Sequence, residues 1–177
     1  QGDYSKALEY FEEVLKIRLS VYGENHSRVA SVYNDIGEIY SVQGDDFKAL
    51  DYFKKSLKIV LSVYGENHSQ VSSIYDHIGE IYFAQKDYSK ALYYFEESLK
   101  IRLSLFGENH PEVALSYYSI GSLYIIQGDK SKALNYYEKS LKIRLSVYGE
   151  NHPLTKEIMD LINVANSKVL QSPETTK

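Results

Sequence analysis

Four histidines recur at one spacing: His26, His68, His110 and His152, each 42 residues beyond the last and each preceded by Glu-Asn. A histidine two residues after a glutamate offers nitrogen and oxygen donors for zinc. Zinc needs those donors about 2 Å from a single point. Residues that return once per 42 cannot converge if the repeats stack, because packed helices lie about 8–10 Å apart. Each His is therefore expected to fix the entry to a helix, by capping or by packing, and no metal is expected. His77 has no repeat counterpart and reads as a groove or surface residue. Carboxylates such as Glu12 and Glu13 stand beside lysines on a helix surface. The pairs Glu12/Lys16, Glu96/Lys100 and Glu138/Lys142 are four apart in the order that supports a helix. The serines recur at structural positions, with no Gly-x-Ser-x-Gly turn and no phosphate-cradling glycine loop. No catalytic residue, cofactor or enzyme activity is expected.

The elements that carry these residues follow from the repeat itself. The stretch from Lys6 to His26 returns at Lys48, Lys90 and Lys132. Residues 5–26 and 131–152 differ only at Glu9/Asn135, Phe11/Tyr137, Glu13/Lys139 and Val14/Ser140. Such a period means stacked supersecondary units. Ala7, Leu8, Phe11, Leu15, Leu19 and Tyr22 fall on one helical face, and so do Val29, Val32, Tyr33, Ile36, Ile39 and Tyr40. Two helix types result. Type B is predicted over about 4–22, 46–64, 88–106 and 130–148, and type A over about 27–42, 69–84, 111–126 and 153–168. Pro111 and Pro153 stand at helix starts, where the missing N–H costs nothing. Residues 1–170 read as one array with A/B pairs at about 27–64, 69–106 and 111–148, and 171–177 as a disordered polar tail.

Gly37, Gly79 and Gly121 lie inside type A helices, where glycine costs about 1 kcal/mol relative to alanine. Close approach of the following helix would offset that cost. Ala49, Ala91 and Ala133, twelve residues on, are the expected small partners at the crossing.

Tyr33-x-x-Ile36-Gly37-x-x-Tyr40, followed by Ala49, Phe53 and Ser56, resembles the tetratricopeptide repeat. Tyr75, Ile78, Gly79, Tyr82, Ala91, Phe95 and Ser98 repeat the pattern, as do Tyr117, Ile120, Gly121, Tyr124, Ala133, Tyr137 and Ser140. The usual unit is about 34 residues. The longer unit is similar to the subclass found in kinesin light chains. The resemblance implies an all-α fold, a right-handed α-solenoid of stacked antiparallel helix hairpins. It also implies a non-enzymatic scaffold that binds a protein or peptide in a concave groove lined by the A helices. Carried over position by position, the groove residues are Ser31, Asn34, Glu38 and Ser41, then Ser73, Asp76, Glu80 and Phe83, then Leu115, Tyr118, Ser122 and Ile125. The basic clamp that grips acidic tails in some family members has no counterpart at these positions. Glu38, Asp76 and Glu80 should repel an acidic peptide, so the expected ligand has a basic end and an apolar end.

Net charge −4 and a pI near 5.8 argue against a nucleic-acid partner. No apolar run approaches the ~18 residues of a membrane span. The expectation is a cytoplasmic chain without membrane contact. The first residue is Gln1, which suits a piece of a longer parent. Leu8, Phe11 and Leu15 on the first helix are expected to stay partly exposed. They form the candidate surface for the alternative reading, self-association through open repeat ends. A third reading is a regulatory segment of a larger signalling protein. Drift at Met159, Ile162 and Asn163 in the last helix suggests a cap.

Overall fold

The computed structural model describes residues 3–167. Gly2 and the segment 171–177 lie outside them. The chain divides after Ile101 into two compact units, which are taken in turn.

The first unit holds α1 (Tyr4–Tyr22), α2 (Ser27–Gln43), α3 (Asp46–Tyr64), α4 (Ser69–Ala84) and α5 (Tyr88–Phe106) up to residue 101. Two capping devices set the helix starts. Asp3 Oδ1, Asp45 Oδ1 and Asp87 Oδ1 accept from the backbone N–H three residues on, at 3.2–3.3 Å. The lysine that supplies that N–H turns its ammonium back to the same carboxylate. Lys48 and Lys90 also lie over the rings of Tyr40 and Tyr82, at 4.7 and 4.9 Å. Histidine caps α2 and α4. His26 Nδ1 and His68 Nδ1 accept from the N–H of Arg28 and Gln70, at 3.1 and 3.2 Å. Their rings stack on Tyr22 and Tyr64. Capping and packing are thus done by the same imidazole.

The core of this unit is Val29, Ala30, Val32 and Ile36 of α2, Ala49, Phe53, Ile59 and Val60 of α3, and Val71, Ile74, Ile78 and Ile81 of α4. Tyr52 of α3 lies between Tyr33 and Tyr40 of α2, with centroids 6.0 and 5.7 Å away. Tyr94 sits likewise between Tyr75 and Tyr82. Ser56 is buried, and its hydroxyl donates to the Ala30 carbonyl at 2.8 Å. That bond keeps a polar group in the core at little cost.

The helix-interior glycines face a different partner from the one the spacing suggests. A Cβ on Gly37 would lie 2.8 Å from Phe53 Cε1, and one on Gly79 would lie 2.7 Å from Phe95 Cε1. The close neighbour is an aromatic ring sixteen residues on, not the alanine twelve residues on. The ring fills the space that the missing side chain leaves.

Gly44 closes α2 at φ 77°, in the left-handed region. The equivalent position after α4 is Lys86, held at φ 62°. A side chain in that conformation costs roughly 1–2 kcal/mol. Part of any gain from glycine is returned through the more flexible unfolded chain. Lys86→Gly is therefore expected to raise stability by about 0.5–1 kcal/mol. A urea midpoint that stays put or falls would contradict this.

The second unit holds the end of α5, α6 (Pro111–Ile126), α7 (Lys130–Tyr148) and α8 (Pro153–Ser167). It reuses the same parts. His110 and His152 cap α6 and α8 and stack on Phe106 and Tyr148. Asp129 caps α7. Tyr136 lies between Tyr117 and Tyr124. Ser140 Oγ donates to the Ala114 carbonyl at 2.7 Å. A Cβ on Gly121 would meet Tyr137 Cδ1 at 2.7 Å, with the Ala133 carbonyl oxygen at 3.3 Å. In α8 the buried residues are Thr155, Ile158 and Ala165, and Asn163, at the glycine position, is exposed.

Candidate interaction faces

In the first unit the face of α2 and α4 carries the residues singled out from the sequence. Asn34 Nδ2 donates to Glu38 Oε1 at 2.5 Å. The same Glu38 oxygen lies 3.4 Å from His77 Nε2, and His77 Nδ1 lies 3.9 Å from Glu80 Oε2. His77 thus stands between two glutamates of successive repeats. Its ring stacks on Phe53, 5.0 Å away and nearly parallel.

Burial, the largest single influence, favours the neutral imidazole. The carboxylates of Glu80 and Glu38, with the charge of Asp76, together outweigh it, so the pKa of His77 is raised. The sign for stability follows. The raised folded value favours the protonated form, so the contribution is full below the unfolded value of about 6.5 and is lost as pH rises through the folded one.

Ser31, Asn34 and Ser73 line a cavity of about 200 Å³ together with Asp35, Val60 and Gln70. The carboxyl of Asp35 is raised, first by burial and then by Glu38, with Arg18 acting the other way. Ser31 and Ser73 each donate to a backbone carbonyl four residues back, at 3.1 Å. Ser41 is half-buried beside the α2 terminus. Phe83 packs edge-on against Tyr88, 5.9 Å away. Neither belongs to the cavity. His77 is the residue whose role sequence reasoning missed. Its lack of a repeat counterpart was the signal, but its place between two glutamates depends on packing across 39 residues.

In the second unit the α6 residues behave differently. Leu115 and Ile125 are exposed, at 45% and 37%. Tyr118 and Ser122 are half-buried and engaged. The Tyr118 hydroxyl donates to Glu157 Oε1 at 3.0 Å, and the Arg144 guanidinium lies over the Tyr118 ring at 4.9 Å. Tyr137 donates its hydroxyl to Ser122 Oγ at 3.1 Å. Tyr137 of α7 reaches it because Gly121 leaves room beside its ring.

Leu8, Phe11 and Leu15 are half-buried, and no residue of α1 is fully buried. Tyr10, Ile17 and Val21 of the same helix are 62–63% exposed. Among the described residues no helix is long and apolar enough to cross a membrane. Nor do three His, Cys, Asp or Glu side chains among them form a set that could hold a metal.

Paired helices joined by short capped turns, with an aromatic–glycine contact renewed in each repeat, define a helical-repeat protein of the α-solenoid class. The tetratricopeptide repeat profile matches residues 1–60, 28–104 and 70–146, and the chain belongs to the tetratricopeptide repeat family. No curated protein matches the sequence. Among solved structures, BtubC (BKLC) from P. vanneervenii aligns over 99% of this chain and 78% of its own, with TM-score 0.79 and 21% identity. A Podosopora anserina putative kinesin light chain with nearly identical TPR-like repeats aligns over 97% and 90%, with TM-score 0.72 and 16% identity. The apo form of RapI aligns over 95% and 58%, with TM-score 0.79 and 18% identity. At these identities the likeness concerns the fold.

Proposed function

We propose that this chain is a non-enzymatic, cytoplasmic scaffold whose A-type helices receive segments of a protein partner. The family and its fold support a protein-interaction role in general. The observation that carries the finer reading is the face of α2 and α4, where Glu38, Asp76 and Glu80 surround the one imidazole of His77. Such a face suits a basic segment and repels an acidic one. The exposed Leu115 and Ile125 of α6 suit an apolar segment.

The test uses two synthetic peptides of equal length, one alternating lysine and leucine and the other glutamate and leucine, followed by fluorescence anisotropy. The basic peptide is expected to bind and the acidic one not. Glu38→Lys with Glu80→Lys should weaken the basic peptide about tenfold, or about 1.4 kcal/mol, and flatten its salt dependence. Equal binding of both peptides to the unaltered chain would end this reading. Self-association through α1 is the second reading, favoured by the exposed Tyr10, Ile17 and Val21. The same double substitution would leave it untouched.

A further inference from the structure

One repeat position departs from its copies in a way that marks a site. Residues 18, 60, 102 and 144 are equivalent, and they are Arg18, Val60, Arg102 and Arg144. Where arginine is present its guanidinium reaches the following helix. Arg18 Nη1 donates to the Arg28 carbonyl at 2.6 Å. Arg144 Nη1 donates to the Leu154 carbonyl at 2.6 Å, and Arg144 is only 4% exposed. Arg102, equally buried, reaches Ser116 Oγ at 2.8 Å and Glu112 Oε2 at 2.9 Å. Valine replaces it at residue 60 and lines a cavity of about 200 Å³, against about 140 Å³ beside Arg144.

The walls of that cavity are the counterparts of the arginine's partners. Gln70 stands at the repeat position of Glu112 and Leu154, and Asn34 at that of Tyr118, over whose ring Arg144 lies. Asn34 Oδ1 and Gln70 Oε1 are buried and accept no hydrogen bond among the described residues. The orientation of the Asn34 amide is set by its Nδ2, which donates to a carboxylate that can only accept. The Asp35 carboxylate completes the lining. Two orphaned acceptors and a half-buried carboxylate call for a ligand rich in donors and positively charged. A buried acceptor left unmatched is destabilising until a donor reaches it. The planar fork of a guanidinium carries five N–H donors, which suits three separated acceptors better than the compact ammonium of lysine.

We propose that this cavity between α2, α3 and α4 is a socket for an arginine side chain of the partner protein, entering past the exposed Ser73. The chain thus keeps one of its own repeat arginines out and admits one from outside. The proposal rests on the reading that the α2/α4 face meets a partner, and it specifies one residue of that partner.

The socket can be tested without the partner. The compound is N-acetyl-argininamide, with the citrulline analogue as its uncharged isostere, followed by NMR of the Asn34 and Gln70 side-chain amides. The arginine compound is expected to shift both amides saturably, and at least fivefold more tightly than the citrulline one. Val60→Arg should abolish the response by supplying the guanidinium internally. Gln70→Leu, which alters one wall without filling the space, should weaken it at least fivefold and stands in if Val60→Arg does not fold. Shifts that never saturate, equal response to citrulline, or an unchanged response in these variants would show a cavity filled by solvent only and overturn the proposal. The lysine–leucine peptide should bind Val60→Arg as it binds the unaltered chain, so failure of the socket and failure of the acidic-face reading are separately visible.

Discussion

Gly37→Leu is expected to destabilise the first unit by about 3 kcal/mol, seen as a lowered urea midpoint at unchanged slope. The first added carbon would already lie 2.8 Å from Phe53 Cε1 and 2.9 Å from Cδ1. Leucine adds three more. Helix propensity alone would favour the change by nearly 1 kcal/mol, so the packing term must exceed that to produce a loss. It can do so because the ring has no free side. Phe53 is fully buried, and one face of its ring is covered by the stacked His77. Any displacement of the ring also moves His77 from between Glu38 and Glu80. A second readout follows: the His77 pKa, now raised by those carboxylates, should fall toward its ordinary value. An unchanged midpoint would mean the glycine is not required by this contact. A lowered midpoint with His77 titrating as before would mean that ring and imidazole are not coupled.

The helices were legible because their signals are local and occur several times. Glycine after each type B helix and apolar residues at three- and four-residue spacing locate each element without any tertiary knowledge. What faces a helix-interior glycine was not legible. Gly37 and Phe53 are sixteen residues apart, and whether alanine or the ring comes closer depends on the rotation of two helices about their axes. The insertion of Tyr52, Tyr94 and Tyr136 between paired tyrosines was missed for the same reason. The sequence predicts caps or packing residues at the histidines; the imidazole does both because Nδ1 and the ring face are used independently. Near-identity of the copies also hides what matters. Val60 among three arginines is visible in the sequence alone, yet it reads as a tolerated apolar substitution until the cavity beside it is seen.

Arg144→Val should produce in the second unit what Val60 produces in the first. The substitution removes a nearly buried guanidinium that donates to the Leu154 carbonyl at 2.6 Å, lies over Tyr118 and reaches Glu157 Oε2 at 3.4 Å. Removing one partner of a buried ion pair costs about 3–5 kcal/mol when the other charge is left dry. Glu157 is about half exposed and can be hydrated, which discounts that part. What remains is the lost carbonyl bond and the unfilled volume, together about 2–3 kcal/mol. The midpoint of urea unfolding followed by circular dichroism measures it. Arg144→Lys should recover less than half, because an ammonium cannot lie flat over Tyr118 while reaching two acceptors. The Tyr118 phenol gives an independent reading. Burial, then the hydrogen bond and charge of Glu157, and Tyr137 hold it above its usual range, and Arg144 opposes them. Without the guanidinium it should titrate higher still in both variants that lack the fork, and most in the valine one. A phenol that does not move would show that the stacked guanidinium exerts no field there. A midpoint that does not move would show that the arginine fills the layer without holding it, and the contrast drawn with residue 60 would lose its physical basis.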